Sequence, residues 1–158
     1  MRIGHGFDAH RLEPGRRCVL GGVAVPSDSG PIGHSDGDVV LHALADALLG
    51  AAAMGDLGTV FGTDRPEWAG AAGEAFVRHV RELTDHPAIL NVDVTILAVR
   101  PRVGEYREAM RENIAALLGI PVARVSVKAS SGNGLTDFGR GEGVAATVVL
   151  LAGGDAAE

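Results

Sequence analysis

Gly33-His34-Ser35-Asp36-Gly37-Asp38 leads into Val39-Val-Leu-His42-Ala-Leu-Ala-Asp46-Ala-Leu-Leu-Gly-Ala-Ala-Ala-Met54, and Gly55-Asp56-Leu57-Gly58 closes the stretch. From Val39 to Met54 the only side chains able to ionise are His42 and Asp46. Residues four apart share a helical face, so Asp38, His42 and Asp46 form one polar stripe. Every other face is apolar or small, the mark of a buried helix. Burying a carboxylate and an imidazole is costly unless they are paired or bound to something. Two readings follow. His42 and Asp46 satisfy each other in the core, or His42 is a metal ligand whose ring Asp46 or a backbone group orients. The helix alone leaves both open. At its start, Ser35 or Asp36 can act as the cap. Free amides and the helix dipole there favour a phosphate, so His34 and Ser35 are candidates to hold phosphate oxygens. Asp56 either bonds its own backbone in a tight turn or, beside a metal cleft, accepts from substrate hydroxyls.

Upstream, Met1-Arg-Ile-Gly-His-Gly-Phe-Asp8-Ala-His10 opens a strand at Ile3. Asp8 and His10, two apart, point to the same side of an extended segment, as a two-point clamp for a divalent metal would. The plainer reading has Asp8 in a turn and His10 on the surface. Gly4 and Gly6 suit a backbone packed closely against a neighbour. Arg16–Val25 reads as two strands broken at Gly21-Gly22 or as one bent strand, with Cys18 a small core residue. Residues 26–33 form a Ser-, Asp-, Gly- and Pro-rich loop.

Downstream, Phe61–Trp68 reads as an irregular polar loop. Glu74–His86 is amphipathic, with Phe76, Val77, Val80 and Leu83 inward, and ends at Pro87; His79 and His86 fall on its solvated side. Asn91–Val99 is strand-like, and Arg100-Pro101-Arg102 at its end is either surface charge or a diphosphate contact. Glu105–Leu118 is a further amphipathic helix ended by Gly119. Val125–Ala129 is a short strand leading into the small-residue loop Ser130–Gly134, suited to close approach by phosphates. A last strand spans Val144–Leu151. Strands alternating with three helices predict an α/β (α+β) sandwich, a mixed β-sheet with helices on one face. The open face needs cover, which oligomerisation would supply.

A chain of 158 residues, 46% hydrophobic, can bury one core, so residues 1–152 are expected to form a single domain with 153–158 a disordered tail. With 4% aromatic residues the core must rest on Ala, Val and Leu. A formal charge of −6 argues against general nucleic-acid binding. One cysteine excludes an internal disulfide and a cysteine-based zinc site. The N-terminus lacks the apolar run of a signal peptide, and no uninterrupted apolar segment is long enough for a membrane span, so a cytoplasmic protein is expected.

Together, these motifs and the later Gly139-Arg140-Gly141-Glu142-Gly143 resemble the 2-C-methyl-D-erythritol 2,4-cyclodiphosphate synthase family from residue 1 to about 151, in order and spacing. The resemblance implies a homotrimer with active sites between subunits. It implies Zn2+ on Asp8, His10 and His42, and Mg2+ or Mn2+ bridging the phosphates of a cytidine diphosphate-linked substrate, 4-diphosphocytidyl-2-C-methyl-D-erythritol 2-phosphate. The substrate's 2-phosphate attacks the β-phosphorus and CMP leaves. His34 and Ser131 match positions that stabilise the transition state. Ser35, Asp56, Leu57 and Gly58 match the methylerythritol pocket. Phe61, Thr63, Asp64 and Arg65, then Ala98, Arg100, Pro101 and Arg102, then Ser130, Ser131 and Asn133 match segments holding the cytidine diphosphate, partly from the adjacent subunit. Arg140 matches an arginine near the threefold axis.

The chain departs from that pattern in its phosphate loop, usually Thr-Thr-Thr-Glu then Leu-Gly-Phe. Here Ser130-Ser131-Gly132-Asn133 precedes Leu135-Thr136-Asp137-Phe138. Asn133 replaces a carboxylate that binds the second metal, a weaker ligand for a hard cation, and Asp137 is a candidate substitute. Phe138 is displaced by one position, and Thr63 and Arg65 stand where acidic residues are common. Two other readings are a zinc-dependent phosphohydrolase and a non-catalytic cytidine-nucleotide-binding trimer.

Overall fold

The long first strand, β1 (Arg2–Pro14), carries Asp8 and His10. In the computed structural model, which describes residues 1–62, 66–85 and 87–153, β1 is followed by a two-residue hairpin, β2 (Val19–Leu20) and β3 (Val23–Ala24), and by β4 (Ser29–Pro31). Then come α1 (Val39–Ala52), α2 (Leu57–Phe61), α3 (Gly73–Leu83), β5 (Ile89–Leu97), α4 (Arg107–Leu118), β6 (Val125–Ser130) and β7 (Gly143–Ala152). The five-stranded sheet runs β4-β1-β7-β5-β6. Only β5 and β6 pair in parallel, and the crossover between them carries α4. The expected mixed sheet with helices on one face is what forms. The Gly21-Gly22 break is the hairpin turn, both glycines at positive φ (60° and 76°), where other residues are strained.

Gly4, Gly6, Asp8 and His10 alternate onto the face of β1 that meets α1. A Cβ on Gly4 would lie 1.8 Å from the Ala47 carbonyl oxygen, and one on Gly6 1.9 Å from that of Ala43. The two glycines therefore let the helix backbone rest directly on the strand. α1 runs antiparallel to β1, and the pitches match: two strand residues advance about 6.6 Å and four helix residues about 6 Å. One step beyond the Gly6–Ala43 contact, Asp8 and His10 meet His42. On its other sides α1 is covered as its composition requires, with Val39 to Leu49 fully buried except for His42 and Asp46.

The cap of α1 is Asp38, not Ser35 or Asp36. Its carboxylate accepts from the Val40 and Leu41 amides at 3.1 Å and, across the chain, from Gly21 at 2.8 Å and Gly22 at 2.7 Å. One buried side chain thus satisfies both the helix start and the hairpin turn; burial raises its carboxyl to about 6 against the pull of those amides. Asp36 instead serves α3, whose own cap position, Ala72, offers no side chain. It accepts from the Gly73 amide at 2.8 Å. The stretch after α1 is also more ordered than a turn, because Asp56 caps α2 by accepting from the Thr59 amide at 2.7 Å.

The opposite face of the sheet stands open. Ile3, Phe7 and Val149 are 71%, 52% and 44% exposed on adjacent strands, beside an Asp93–Lys128 ion pair. Near the other end of the described chain, the Gly153 amide donates to the Ala88 carbonyl at 2.7 Å. Among the described residues no helix is long and apolar enough to cross a membrane.

Gly6→Ala forces a methyl group into the Ala43 carbonyl, which only separation of α1 from β1 can relieve. We expect it to cost about 3 kcal/mol or more and to abolish metal binding at Asp8, His10 and His42. Urea unfolding and metal content of the purified variant measure the two effects.

Candidate metal centre and substrate cavity

Three donor side chains converge where β1 meets the first turns of α1. Asp8 Oδ2 lies 3.0 Å from His10 Nε2 and 3.0 Å from His42 Nδ1. One ligand atom from each of Asp8, His10 and His42 falls within 4.8 Å of the others, and among the described residues they are the group of this kind. Burial works to raise the Asp8 carboxyl, but hydrogen bonds from both imidazoles, with their charges, override it and hold it well below the carboxylate range. The Asp8 hydrogen bond in turn raises His10 above its ordinary value. A permanently ionised carboxylate facing two imidazoles on rigid elements is a donor set suited to a divalent ion. The Asp8–Ala9 contact at 2.9 Å, amide to Oδ1, holds the other carboxylate oxygen aside.

His42 is not paired with Asp46. Its Nε2 lies 3.1 Å from Ser35 Oγ, so Ser35 is the group that orients the ring. Phe76 supports it from the side, edge to face at 5.4 Å. Asp46, one turn further along α1, accepts the Leu57 amide at 2.8 Å. The polar stripe seen in the sequence is real, but each of its members serves a different neighbour.

The triad opens onto a cavity of about 460 Å³ whose wall includes His10, His34, Ser35, His42, Leu57, Gly58 and Phe61. Seven residues singled out from four separated stretches of sequence are therefore brought together. Asp56 stands beside this wall as the α2 cap, with its carboxyl lowered by the Thr59 hydroxyl and amide. Thr63, Asp64 and Arg65, and His86, lie outside the described residues. The expected Phe61–Trp68 polar loop is corrected at its two ends, where Phe61 closes α2 and packs on Trp68. Phe61 is buried against Trp68 at 4.5 Å and Phe76 at 5.0 Å, and His79 packs on the rim of the same cluster. Trp68 and Phe76 line the cavity and were missed as site residues. Phe76 reads in the sequence as one more core position of an amphipathic helix. Nothing in its spacing separates a wall of a cavity from a wall of the core.

The remaining candidates gather elsewhere. Ala98 donates its amide to Ser130 at 3.0 Å, and Val99 to Phe138 at 3.4 Å, so the segments at 98–102, 130–133 and 138–140 form one cluster at the ends of β5 and β6. Leu97 pairs with Ala145 and Ala145 with Ala9, which sets this cluster at the same end of the sheet as the triad, two and three strands away. Within one chain it does not line the cavity. Asn133 occupies the left-handed region (φ 50°), which asparagine tolerates better than glutamate. Its Oδ1 accepts from Ser131 Oγ at 3.4 Å. Asp137, the substitute ligand considered for a second cation, is engaged by Arg140, which also binds Glu142 at 3.0 Å. The described side chains here do not form a cation site of their own.

Against known proteins, the model of the YgbB family matches residues 1–152. The 2-C-methyl-D-erythritol 2,4-cyclodiphosphate synthase of Symbiobacterium thermophilum is 51% identical over 98% of this chain and 99% of its own. A solved 2C-methyl-D-erythritol-2,4-cyclodiphosphate synthase superposes with a TM-score of 0.89 at 37% identity, covering 96% of this chain and all of its own. A form of such a synthase with bound CDP gives 0.85 at 36% identity, with 96% and 100% coverage.

Replacing His42 with alanine removes one of three converging donors without touching the Gly4 and Gly6 contacts. We expect zinc affinity, measured by competition with a chromogenic chelator, to fall roughly a hundredfold or more, with the far-ultraviolet circular dichroism unchanged.

Proposed function

The chain belongs to the YgbB family, and we infer from that membership the reaction served by its cavity. The protein is a lyase that converts 4-diphosphocytidyl-2-C-methyl-D-erythritol 2-phosphate to 2-C-methyl-D-erythritol 2,4-cyclodiphosphate and CMP, a step of isoprenoid precursor synthesis. The observation that carries this is the Asp8–His10–His42 cluster at the mouth of a cavity built by the motif residues of a chain 51% identical to a named synthase.

The chemistry asks little of a nucleophile. An oxygen of the substrate's 2-phosphate attacks the β-phosphorus, the bond from that phosphorus to the α-phosphate bridging oxygen breaks, and CMP leaves with the electron pair. Both reacting groups are anionic, so the protein's task is alignment and charge neutralisation. Asp8, His10 and His42 would hold a zinc ion, which would supply Lewis-acid polarisation of a phosphoryl oxygen. His34, exposed on the cavity rim, and Ser131 stabilise the charge that develops on the transferred phosphoryl group. Ser35, Asp56, Leu57 and Gly58 hold the methylerythritol portion. Ser35 also keeps its hydrogen bond to His42, so one hydroxyl serves both the ring and the substrate side.

The cytidine diphosphate is held by Ala98, Arg100, Pro101 and Arg102 with Ser130, Ser131 and Asn133, together with Phe61 and residues 63–65. Arginine at 100 and 102 suits phosphate recognition by its planar fork of donors. Because the 98–102 and 130–133 cluster does not line the cavity of its own chain, the site is completed between copies. A homotrimer supports this: it covers the open sheet face around Ile3, Phe7 and Val149, and it turns the sheet ends of one subunit toward the cavity of the next. Arg140, exposed at that same end, then lies near the shared axis. A magnesium or manganese ion on the substrate's phosphates is the remaining cofactor, and no step depends here on a protein ligand for it.

Purified protein supplied with zinc and magnesium should release CMP and the cyclic product from the 4-diphosphocytidyl substrate in equal amounts. Inorganic phosphate in place of CMP would mean a phosphohydrolase, and tight CDP binding without turnover a binding protein. Sedimentation should give three chains per particle. Phe7→Asp should dissociate the particle and cut CMP release at least about tenfold, since a buried apolar contact is replaced by a charge.

A further inference from the structure

The contact between Asp46 and the Leu57 amide joins the two halves of the cavity. Leu57 is the first residue of α2, and its N–H is one of the four at a helix start with no acceptor inside the helix. Asp56 takes the next free donors, the Thr59 amide and hydroxyl, both at 2.7 Å. Two carboxylates therefore share the N-terminus of a helix only five residues long. A helix of that length does not hold itself. Its placement comes from the buried ring of Phe61 at one end and from Asp46 at the other.

Asp46 sits one turn beyond His42 on α1, a helix whose neighbouring positions are fully buried and apolar. Burial raises its carboxyl above the ordinary value, with the Leu57 amide pulling the other way. Asp56 and Asp8 add like charge to the same region. Against those effects, the Leu57 amide and the nearby His42 favour the ionised carboxylate.

We propose that Asp46 is a positioning residue for substrate: by accepting the Leu57 amide it fixes α2, and with it Leu57, Gly58 and Phe61, relative to the helix that carries His42. The metal ligand and the anchor of the substrate loop then stand four residues apart, about 6 Å along the same axis, and move as one body. Asp46 touches neither substrate nor metal. It sets the distance between the group that polarises a phosphate and the wall that holds the sugar alcohol attached to it. This rests on the reading of Leu57 and Gly58 as the methylerythritol wall.

The test compares Asp46→Ala with Asp46→Asn, whose amide oxygen still accepts from Leu57. Two readouts are taken on zinc-loaded protein: exchange of the Leu57 amide proton by NMR, which needs no substrate, and the kinetics of CMP release. For Asp46→Ala we expect Leu57 exchange about tenfold faster and KM about tenfold higher, the effect of one lost hydrogen bond. Its kcat should stay within about threefold and its zinc content unchanged, as befits a loss of binding rather than of transition-state contact. Asp46→Asn should return both readouts to near the parent values. Unchanged Leu57 exchange in Asp46→Ala overturns the tether. A fall in kcat accompanied by zinc loss overturns it too, because Asp46 would then act through His42. Faster exchange with an unaltered KM would leave the tether standing and sink the assignment of Leu57 and Gly58 to substrate. A parent protein that releases no CMP would refute the proposed reaction, and Leu57 exchange would still decide the tether.

Discussion

The structure depends on how closely α1 lies against β1. Gly4 and Gly6 remove the side chains that would otherwise keep helix and strand a full side-chain layer apart, and the Ala43 and Ala47 carbonyls rest in the space so left. Because two strand residues and four helix residues cover nearly the same length, the register set by the glycines continues upward to the polar positions. Asp8 on the strand then lies at hydrogen-bond distance from both His10 beside it and His42 on the helix. The candidate metal site is made from two elements held at a spacing that only glycine permits, so the packing of the core and the geometry of the site are one constraint.

Around α1 four aspartates accept backbone amides, and Asp8 is the carboxylate that both histidines approach at 3.0 Å; Asp36 Oδ1 stands further off, 4.0 Å from His42 Nε2. Asp36 goes to the Gly73 amide, Asp38 to four amides of the hairpin and helix start, Asp46 to Leu57, and Asp56 to Thr59. Asp36, Asp38 and Asp46 each join two segments by accepting backbone donors that would otherwise be buried unpaired or left to water, and Asp56 caps its own helix. These bonds hold the hairpin, α2 and α3 around α1, and so shape the cavity. Asp8, approached by two imidazoles, is the carboxylate that remains available to a cation.

The sheet divides the functional residues into two groups at one end. The triad and the aromatic cavity lie on β1 and the helices. The serine-rich loop and the arginines lie at the ends of β5 and β6, across β7. A substrate with a sugar alcohol at one end and a cytidine diphosphate at the other is long enough to need both groups. The exposed apolar residues of the bare sheet face are what the proposed homotrimer would cover, and the site proposed between copies would bring one chain's loop to another chain's cavity.

The sequence by itself determined the elements and the chemistry carried by each. Period-two spacing set Asp8 and His10 on one side of a strand, period-four spacing put His42 within a buried helix, and Gly21-Gly22 marked a break or bend in the strand. These are local periodicities, readable because neighbours along the chain share a backbone geometry. The tertiary structure decided which polar groups meet. Spacing alone made Asp46 the natural partner of His42, yet the turn after α1 brings the Leu57 amide to Asp46 and leaves Ser35 to orient the ring. Likewise Asp38 displaced Ser35 and Asp36 as the cap, because the hairpin supplies two further amides at that position. Phe76 and Trp68 changed from core and loop to cavity wall for a similar reason. Whether an apolar ring faces core or cavity depends on what packs opposite it, and that neighbour comes from a distant part of the chain.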